Sequence, residues 1–240
     1  MKRDLVQEVG FIIHTQGYKE NSLLLDLFTL NYGRIKAVAK GAKSSRSKLK
    51  AILQPFVPLN CTIKKSKSDL WNLYDCVVSG SPYSFNIPDI FCATYINELL
   101  FYLFKTQDQE PKLFAKYFET LKNIASKQNI EKSLRDFEFT LLETLGYGIR
   151  FEREDGLVLD FETCYEYHFE SGFVPSVDAN RSFKGKYLIA LEQGIYINKE
   201  SYKIAKRLTQ DILLILLGKN RIKSKDLYQE YLLMQGKDHG

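Results

Sequence analysis

Basic side chains are concentrated in one part of the sequence, with no acidic residue among them. Between Arg34 and Lys67 there is no Asp or Glu. A cluster of this kind is a strong candidate for binding phosphate groups, because neutralising phosphates releases condensed counterions from nucleic acid. The alternative is a solvated, lysine-rich loop that only aids solubility. The run consists of Arg34, Lys36, Lys40, Lys43, Arg46, Lys48, Lys50, Lys64, Lys65 and Lys67.

Charge is also distributed unevenly along the chain. Residues 1–80 hold 13 basic against 6 acidic side chains, residues 81–198 hold 12 against 18, and residues 199–240 hold 9 against 5. Such asymmetry suggests that the basic parts meet a polyanion and the acidic middle does not. We therefore predict a nucleic-acid site made of Arg34, Lys36, Lys40, Lys43, Arg46, Lys48 and Lys50, with Lys206, Arg207, Lys219 and Lys223 as further candidates.

No common catalytic motif is present in the sequence. The segment 41–44 resembles a phosphate-binding loop, but Ala42 separates its glycine from Lys43, and the other required glycine is missing. The glycine-rich dinucleotide pattern and the serine-hydrolase elbow are also absent. We predict a protein that is not an enzyme and needs no cofactor. A nuclease is the competing reading, and it would need clustered carboxylates for magnesium.

Cysteine and histidine residues are too scattered for a metal site. The cysteines lack the tight pairing of a zinc site and the histidines are scattered, so we expect reduced thiols and no metal. The chain also contains no signal-peptide pattern and no apolar stretch of about 18 residues, which predicts a cytoplasmic, soluble protein without membrane contact. The residues concerned are Cys61, Cys76, Cys92, Cys164, His14, His168 and His239.

Short strands make up the first third of the chain and would carry the basic run. Five alternating or apolar segments, separated by turn signals such as Gln16-Gly17, predict a small β-barrel. An oligonucleotide-binding (OB) barrel has this strand number, but the pattern does not separate it from an SH3-like barrel. The segments are 9–14, 22–29, 34–39, 56–63 and 70–74.

Helical periodicity replaces the strand pattern after the break at 80–82. We predict an α+β fold with a barrel domain at 1–80 and a helical bundle at 81–240. An irregular insertion at about 150–198 is expected to contain a hairpin of 165–169 with 172–174, and Ser224 is expected to cap the last helix. The predicted helices are 89–105, 111–126, 131–145, 201–217 and a short one from Ser224.

Three aromatic residues are candidates for stacking on bases. Stacking on aromatic rings is how sequence-tolerant proteins bind single strands. Most of the 15 Tyr and 16 Phe residues must lie in the core. Tyr18, Tyr32 and Trp71 are the exceptions that we single out, because they lie near basic or turn segments of the barrel.

Several sequence blocks resemble, in order, those of the bacterial RecO family. None is diagnostic alone, but together they span nearly the whole chain. An RNA-binding barrel unconnected with DNA repair is disfavoured mainly by this resemblance. The barrel blocks are 17–22, 26–29, 33–34, 38–42 and 53–56, and the helical blocks are 95–100, 134–138, 145–148, 217–219 and 223–227.

The resemblance implies a recombination mediator that works without nucleotide hydrolysis. Members of this family bind single- and double-stranded DNA and anneal complementary strands. They cooperate with RecR, in some bacteria with RecF, and help load RecA onto gaps covered by single-strand-binding protein. Association with the nucleoid would follow from this role.

The chain departs from the family pattern at one place. Many members carry two Cys-x-x-Cys pairs after the Gly-Tyr-Gly block, whereas this chain has only Cys164 there. A structural zinc site needs four ligands, so we predict that this segment is held by its own packing.

The helix predicted at 131–145 offers a candidate site for a partner's tail. Leu134, Phe137 and Leu141 share one apolar face, while Arg135 and Phe139 lie four residues apart on another flank. A guanidinium beside an aromatic ring suits the acidic C-terminal tail of single-strand-binding protein, and the resemblance implies the same arginine. The alternative is a surface ion pair of Arg135 with Glu131 or Glu138.

Overall fold

The structure of the protein is a computed structural model, which describes residues 5–44, 47–169 and 171–237. It divides into two compact units. Met1–Gln128 and Asn220–Gly240 form the first, and Asn129–Lys219 form the second. The division that the sequence suggests after residue 80 follows the change from strands to helices. The first compact unit extends beyond residue 80, because two of the helices that follow pack directly on the barrel.

Five strands of the first unit close into a barrel. Neighbouring strands are antiparallel except β3 and β5, which run parallel, and α1 lies between β3 and β4. This is the arrangement of an OB barrel, so the predicted α+β class with an OB barrel is confirmed. The elements are β1 (Val6–Tyr18), β2 (Ser22–Thr29), β3 (Gly33–Ala39), α1 (Leu49–Ile52), β4 (Leu59–Lys65) and β5 (Trp71–Val78).

The barrel interior is filled by side chains from every strand. Cys61 of β4 and Cys76 of β5 lie opposite each other, with their sulfur atoms 3.1 Å apart. This hydrogen bond and burial raise the pKa of the Cys61 thiol. Neither cysteine forms a disulfide bond, and the same holds for Cys92 and Cys164. The thiols thus act as small apolar side chains in the barrel core.

Three helices complete the first unit: α2 (Ile87–Leu103), α3 (Pro111–Ala125) and α7 (Lys223–Lys237). The ring of Phe28 on β2 contacts Phe104, Phe114 and Tyr117, with centroids 5.3–5.6 Å apart. These contacts explain why β2 is buried on both faces from Leu24 to Thr29. Its apolar run therefore lacks the alternation of a strand with one wet face.

The start of α7 differs from the sequence-based expectation. The helix begins at Lys223, so Ser224 lies inside its first turn and is not its cap. The Ser224 hydroxyl donates a hydrogen bond of 2.6 Å to Glu98 on α2, and the Lys223 backbone N–H donates to the same carboxylate at 3.1 Å. An acidic side chain from another helix thus satisfies free N–H groups of this terminus.

The second unit combines three helices with a small sheet. The predicted hairpin is present as β6 and β7, and β8 pairs with β6 on its other edge. Tyr165, Phe173 and Leu188 are buried at the centre of this unit, which agrees with the expectation that its own packing holds the segment. The elements are α4 (Ile130–Thr144), β6 (Cys164–His168), β7 (Gly172–Pro175), β8 (Phe183–Lys184), α5 (Gly185–Glu192) and α6 (Lys199–Leu217).

Helix α5, which the sequence pattern did not reveal, depends on a close approach at Gly185. A Cβ atom at this position would lie 1.9 Å from the carbonyl oxygen of Asp160. The Gly185 N–H donates to the Thr163 carbonyl at 2.8 Å. The following helix, α6, starts with a reciprocal capping box between Asn198 and Ser201. Two backbone N–H groups at its N-terminus are satisfied in this way.

Candidate nucleic-acid interface

The loop after β3 displays most of the predicted basic site. Lys40, Lys43, Lys48 and Lys50 are all exposed, and Arg46 lies outside the residues that the structure describes. The end of the loop is anchored because Leu49 and Ile52 of α1 pack against the barrel core. The lysines are therefore carried by a loop that is tied to the barrel at both ends.

Lys43 brings this loop against the turn between β1 and β2. Its backbone N–H donates to the Asn21 carbonyl at 3.2 Å, and its ammonium lies 3.4 Å from the Lys19 carbonyl oxygen. Lys19 is itself exposed. Two cations on neighbouring loops raise the local positive potential, which favours a bound anion.

The pairing of β4, β5 and β3 brings the backbone of the second half of the basic run close to β3. Lys65 on β4 pairs with Trp71 on β5, and Trp71 pairs with Ala37 on β3, next to the exposed Lys36. Two strand spacings amount to about 10 Å. Lys64 and Lys67, near the same turn, belong to this group by position. The barrel topology thus brings together both halves of the basic run.

Arg34 differs from the prediction, because its guanidinium is not available to a phosphate. Its Nε and Nη2 donate to Asp26 at 3.0 and 2.7 Å, and Nη1 donates to the carbonyls of Phe101 and Phe104. Only 8% of the side chain is exposed. The residue therefore fastens the barrel to the end of α2, and we leave it out of the interface.

Two of the three stacking candidates are also part of the packing. Trp71 is 5% exposed and belongs to the barrel core, and the ring of Tyr32 packs on it at 4.8 Å between centroids. Tyr18 is half-buried, with the ammonium of Lys19 5.6 Å from its ring centroid. Tyr18 remains a candidate for stacking, whereas Trp71 presents almost no ring surface.

A cavity of about 480 Å³ in the first unit contains residues that the sequence analysis missed. Lys36 and Asp69 come from the barrel, whereas Phe101, Tyr102 and Lys105 come from the end of α2 and the segment after it. Two ammonium groups beside two aromatic rings could hold a phosphate and a base. No spacing in the sequence linked Lys105 to Lys36, because only folding brings positions so far apart to the same cavity.

The C-terminal basic candidates are divided between the two units. Lys206, Arg207 and Lys219 belong to the second unit and Lys223 to the first. Lys206, Lys219 and Lys223 are exposed. Arg207 is half-buried, with its guanidinium 4.6 Å from the Phe183 ring centroid and its Nη2 donating to the Arg181 carbonyl at 3.0 Å.

The predicted tail site on α4 is less open than expected. Arg135 pairs with Glu138 at 2.8 Å, and the two side chains are 5% and 0% exposed. The expected open flank is therefore wrong, and the ion pair is buried and does not lie on the surface. Phe139 is half-buried against the core of the second unit. Nε and Nη1 of Arg135 have no hydrogen-bond partner and therefore retain the capacity to donate. Binding of the partner's tail by Arg135 stays a prediction.

The described residues include neither a cluster of metal ligands nor a helix that could span a membrane. Within the described ranges, no three His, Cys, Asp or Glu side chains are grouped so that they could hold a metal ion. None of the helices in the described part of the chain combines the length and apolar character that crossing a membrane requires.

Comparisons with known proteins give one consistent family. The model described as "Recombination protein O N terminal" matches residues 1–81, and "Recombination protein O C terminal" matches residues 84–156. Proteins named "DNA repair protein RecO" from Methylococcus capsulatus and Pasteurella multocida are each 37% identical to this chain. The alignments cover 92% and 94% of this chain and 91% and 95% of those relatives. A protein of the same name from Vibrio parahaemolyticus is 38% identical over 91% of this chain and 90% of its own length.

Proposed function

This chain belongs to the RecO family of DNA repair proteins, and we propose that it is a recombination mediator that binds DNA through its barrel. The observation that carries the proposal is the acid-free group of exposed lysines on the β3 loop, beside the β1–β2 turn. The turn between β1 and β2 is one of the loops by which OB barrels bind oligonucleotides. The interface then consists of Lys36, Lys40, Lys43, Lys48 and Lys50, together with Arg46, which lies outside the described residues.

We infer that the protein anneals complementary strands by charge neutralisation, without catalysing a covalent step. Two strands repel each other through their phosphates, and ammonium groups on a bound strand lower this repulsion. Lysine suits the task because its charge sits on a flexible stem and reads no base sequence. Single- and double-stranded DNA can both bind in this way, because both present phosphates.

The proposed role as a mediator also requires partner proteins. Family membership supports cooperation with RecR, loading of RecA onto DNA covered by single-strand-binding protein, and an indirect link to RecF. Single-strand-binding protein would be engaged through its acidic tail at Arg135 and Phe139. We place this activity at the nucleoid in the cytoplasm.

An annealing assay with labelled complementary strands tests the proposal. We expect the protein to join the strands without magnesium or nucleotide and to leave them uncut. Replacing Lys43, Arg46 and Lys48 by Ala should flatten the plot of log affinity against log salt by about two units, since each contact with a single strand contributes about 0.7. Cleavage of the strands would favour a nuclease, and binding of RNA alone would favour an RNA-binding barrel. An unchanged slope would remove this loop from the site.

A further inference from the structure

A second cationic pocket lies in the second unit, away from the residues of the barrel site in the sequence. It has a volume of about 410 Å³ and is bounded by β8, the start of α5 and the first half of α6. This volume falls within the range of about 300–1,000 Å³ that is usual for ligand sites. Its polar lining is formed by Ser182, Lys184, Tyr187, Glu200, Lys203 and Arg207.

The charge of the pocket is predominantly positive. Lys184, Lys203 and Arg207 contribute three cations, and Glu200 is the single acid among the residues that line it. Glu200 lies 3.5 Å from Lys203, but both side chains are more than half exposed. A solvent-exposed pair of this kind contributes little stability and exchanges readily for another anion.

Arg207 is held in place before any ligand arrives. Stacking on Phe183 and the bond to the Arg181 carbonyl together restrict the orientation of its guanidinium. The Tyr187 hydroxyl accepts a long hydrogen bond of 3.4 Å from the Asn198 side chain, which leaves its own proton free to be donated. A fixed guanidinium with a hydroxyl donor nearby is suited to the oxygen atoms of a phosphate.

The arrangement of the cations favours a chain of phosphates over a single small anion. Lys203 and Arg207 lie four residues apart on α6, a rise of about 6 Å along the helix, and the exposed Lys206 adds a third cation between them along the helix axis. We propose that this pocket binds the phosphate backbone of single-stranded nucleic acid, as a contact separate from the barrel site. The proposal rests on the DNA-binding role proposed above and adds Lys184 and Lys203 to it.

The test is a titration of fluorescent oligothymidylate at several salt concentrations with the full chain. The double variant Lys184→Gln with Lys203→Gln should retain its fold, because both side chains are exposed. Its slope of log affinity against log salt should be shallower by about 1.4, and its affinity at about 0.1 M salt roughly tenfold lower. Glu200→Gln should bind more tightly than the parent, because it removes the competing carboxylate.

The matched control removes the same net charge elsewhere. Lys122 and Lys127 are exposed in the first unit and line neither pocket. A Lys122→Gln, Lys127→Gln variant should behave like the parent.

If the pocket variant matches this control while Lys43→Gln with Lys48→Gln weakens binding, the pocket is not a DNA contact and the barrel site stands. If the parent does not bind the oligonucleotide, the proposed function itself fails. If the pocket variant instead binds an acidic peptide more weakly than the parent does, while its salt dependence of DNA binding is unchanged, the pocket is a site for a protein ligand and the assignment is overturned.

Discussion

Asp26 and Arg34 form an ion pair that is almost completely removed from water. The side chains are 3% and 8% exposed. His14 lies 3.5 Å from the same carboxylate, and its ring packs on Phe101 with centroids 4.3 Å apart. Burying two charges is costly, and here the remaining guanidinium donor is satisfied by carbonyls at the end of α2. The pair therefore specifies how α2 meets the barrel.

Arg34→Gln should consequently affect folding. The substitution leaves the Asp26 carboxylate buried without its main partner, which should lower the free energy of unfolding by about 3–5 kcal/mol. Urea denaturation measures this loss. Lys40→Gln, in the exposed loop directly after β3, is the matched control and should change stability by less than about 0.5 kcal/mol. Arg34→Gln with the stability of the parent would mean that the pair does not hold α2.

Arg135 and Glu138 form a second buried pair, within the second unit. Thr209 donates a hydrogen bond to the Glu138 carboxylate. Arg135→Ala should lower the free energy of unfolding by about 3–5 kcal/mol, because it removes the countercharge of a buried carboxylate. The double variant Arg135→Met with Glu138→Leu removes both charges and should recover most of that loss. Thermal or urea unfolding of the two variants makes the comparison.

The same double variant tests the proposed tail site without the complication of unfolding. If Arg135 binds the terminal carboxylate of the partner's tail, a labelled tail peptide should lose about 1.5–3 kcal/mol of binding free energy. Affinity for naked DNA should not change. A peptide that binds the double variant as well as the parent would show that the pair is purely structural.

At the level of elements, the turn before β6 depends on the carboxylate of Asp160. Its Oδ1 accepts hydrogen bonds from the hydroxyl and the backbone N–H of Thr163, at 2.8 and 2.9 Å, and from the Glu162 N–H at 3.0 Å. These bonds, led by that of the Thr163 hydroxyl, lower the pKa of Asp160. The turn also positions the Asp160 carbonyl beside Gly185, where α5 begins.

The lowered pKa of Asp160 predicts a loss of stability in acid. A carboxyl whose pKa is lower in the folded state contributes stability above its unfolded pKa of about 4. That contribution disappears as the pH falls through the folded pKa. Urea midpoints measured from about pH 5 to about pH 3 should therefore fall more steeply for the parent than for Asp160→Asn, which keeps an oxygen acceptor but does not titrate there. Equal slopes for the two proteins would contradict this role of Asp160.

For the whole molecule, the apolar core of the second unit predicts that folding is independent of metal. Cys164 is the single cysteine in the segment where many family members carry four, and Leu159, Tyr165, Phe173 and Phe183 pack there instead. Protein purified without chelator should contain no stoichiometric zinc, and a chelator should leave its melting temperature and DNA affinity unchanged. Metal analysis and thermal unfolding are the measurements. Stoichiometric zinc with loss of structure on chelation would contradict this prediction.

The sequence by itself determined the class of fold and the nature of the surface. Strand-length apolar segments followed by helical periodicity predicted the barrel and the helices, because these patterns depend on which faces are buried locally. The hairpin of β6 and β7 was predicted in the same way from local sequence signals. The run without acidic residues also indicated which lysines of the β3 loop are exposed, because a charged side chain with no countercharge nearby stays in contact with water.

Only the tertiary structure decided which charged side chains remain available to a ligand. Arg34 and Arg135 looked like ligand-binding residues in the sequence, but folding places each beside a carboxylate in the core. Lys36 and Lys105 line one cavity, and Lys184 and Lys203 line another, although the members of each pair are distant in sequence. Periodicity describes one element at a time, whereas the burial of a charge and the lining of a pocket depend on which elements pack together. For that reason, the fold could be predicted from the sequence, but the membership of each candidate site could not.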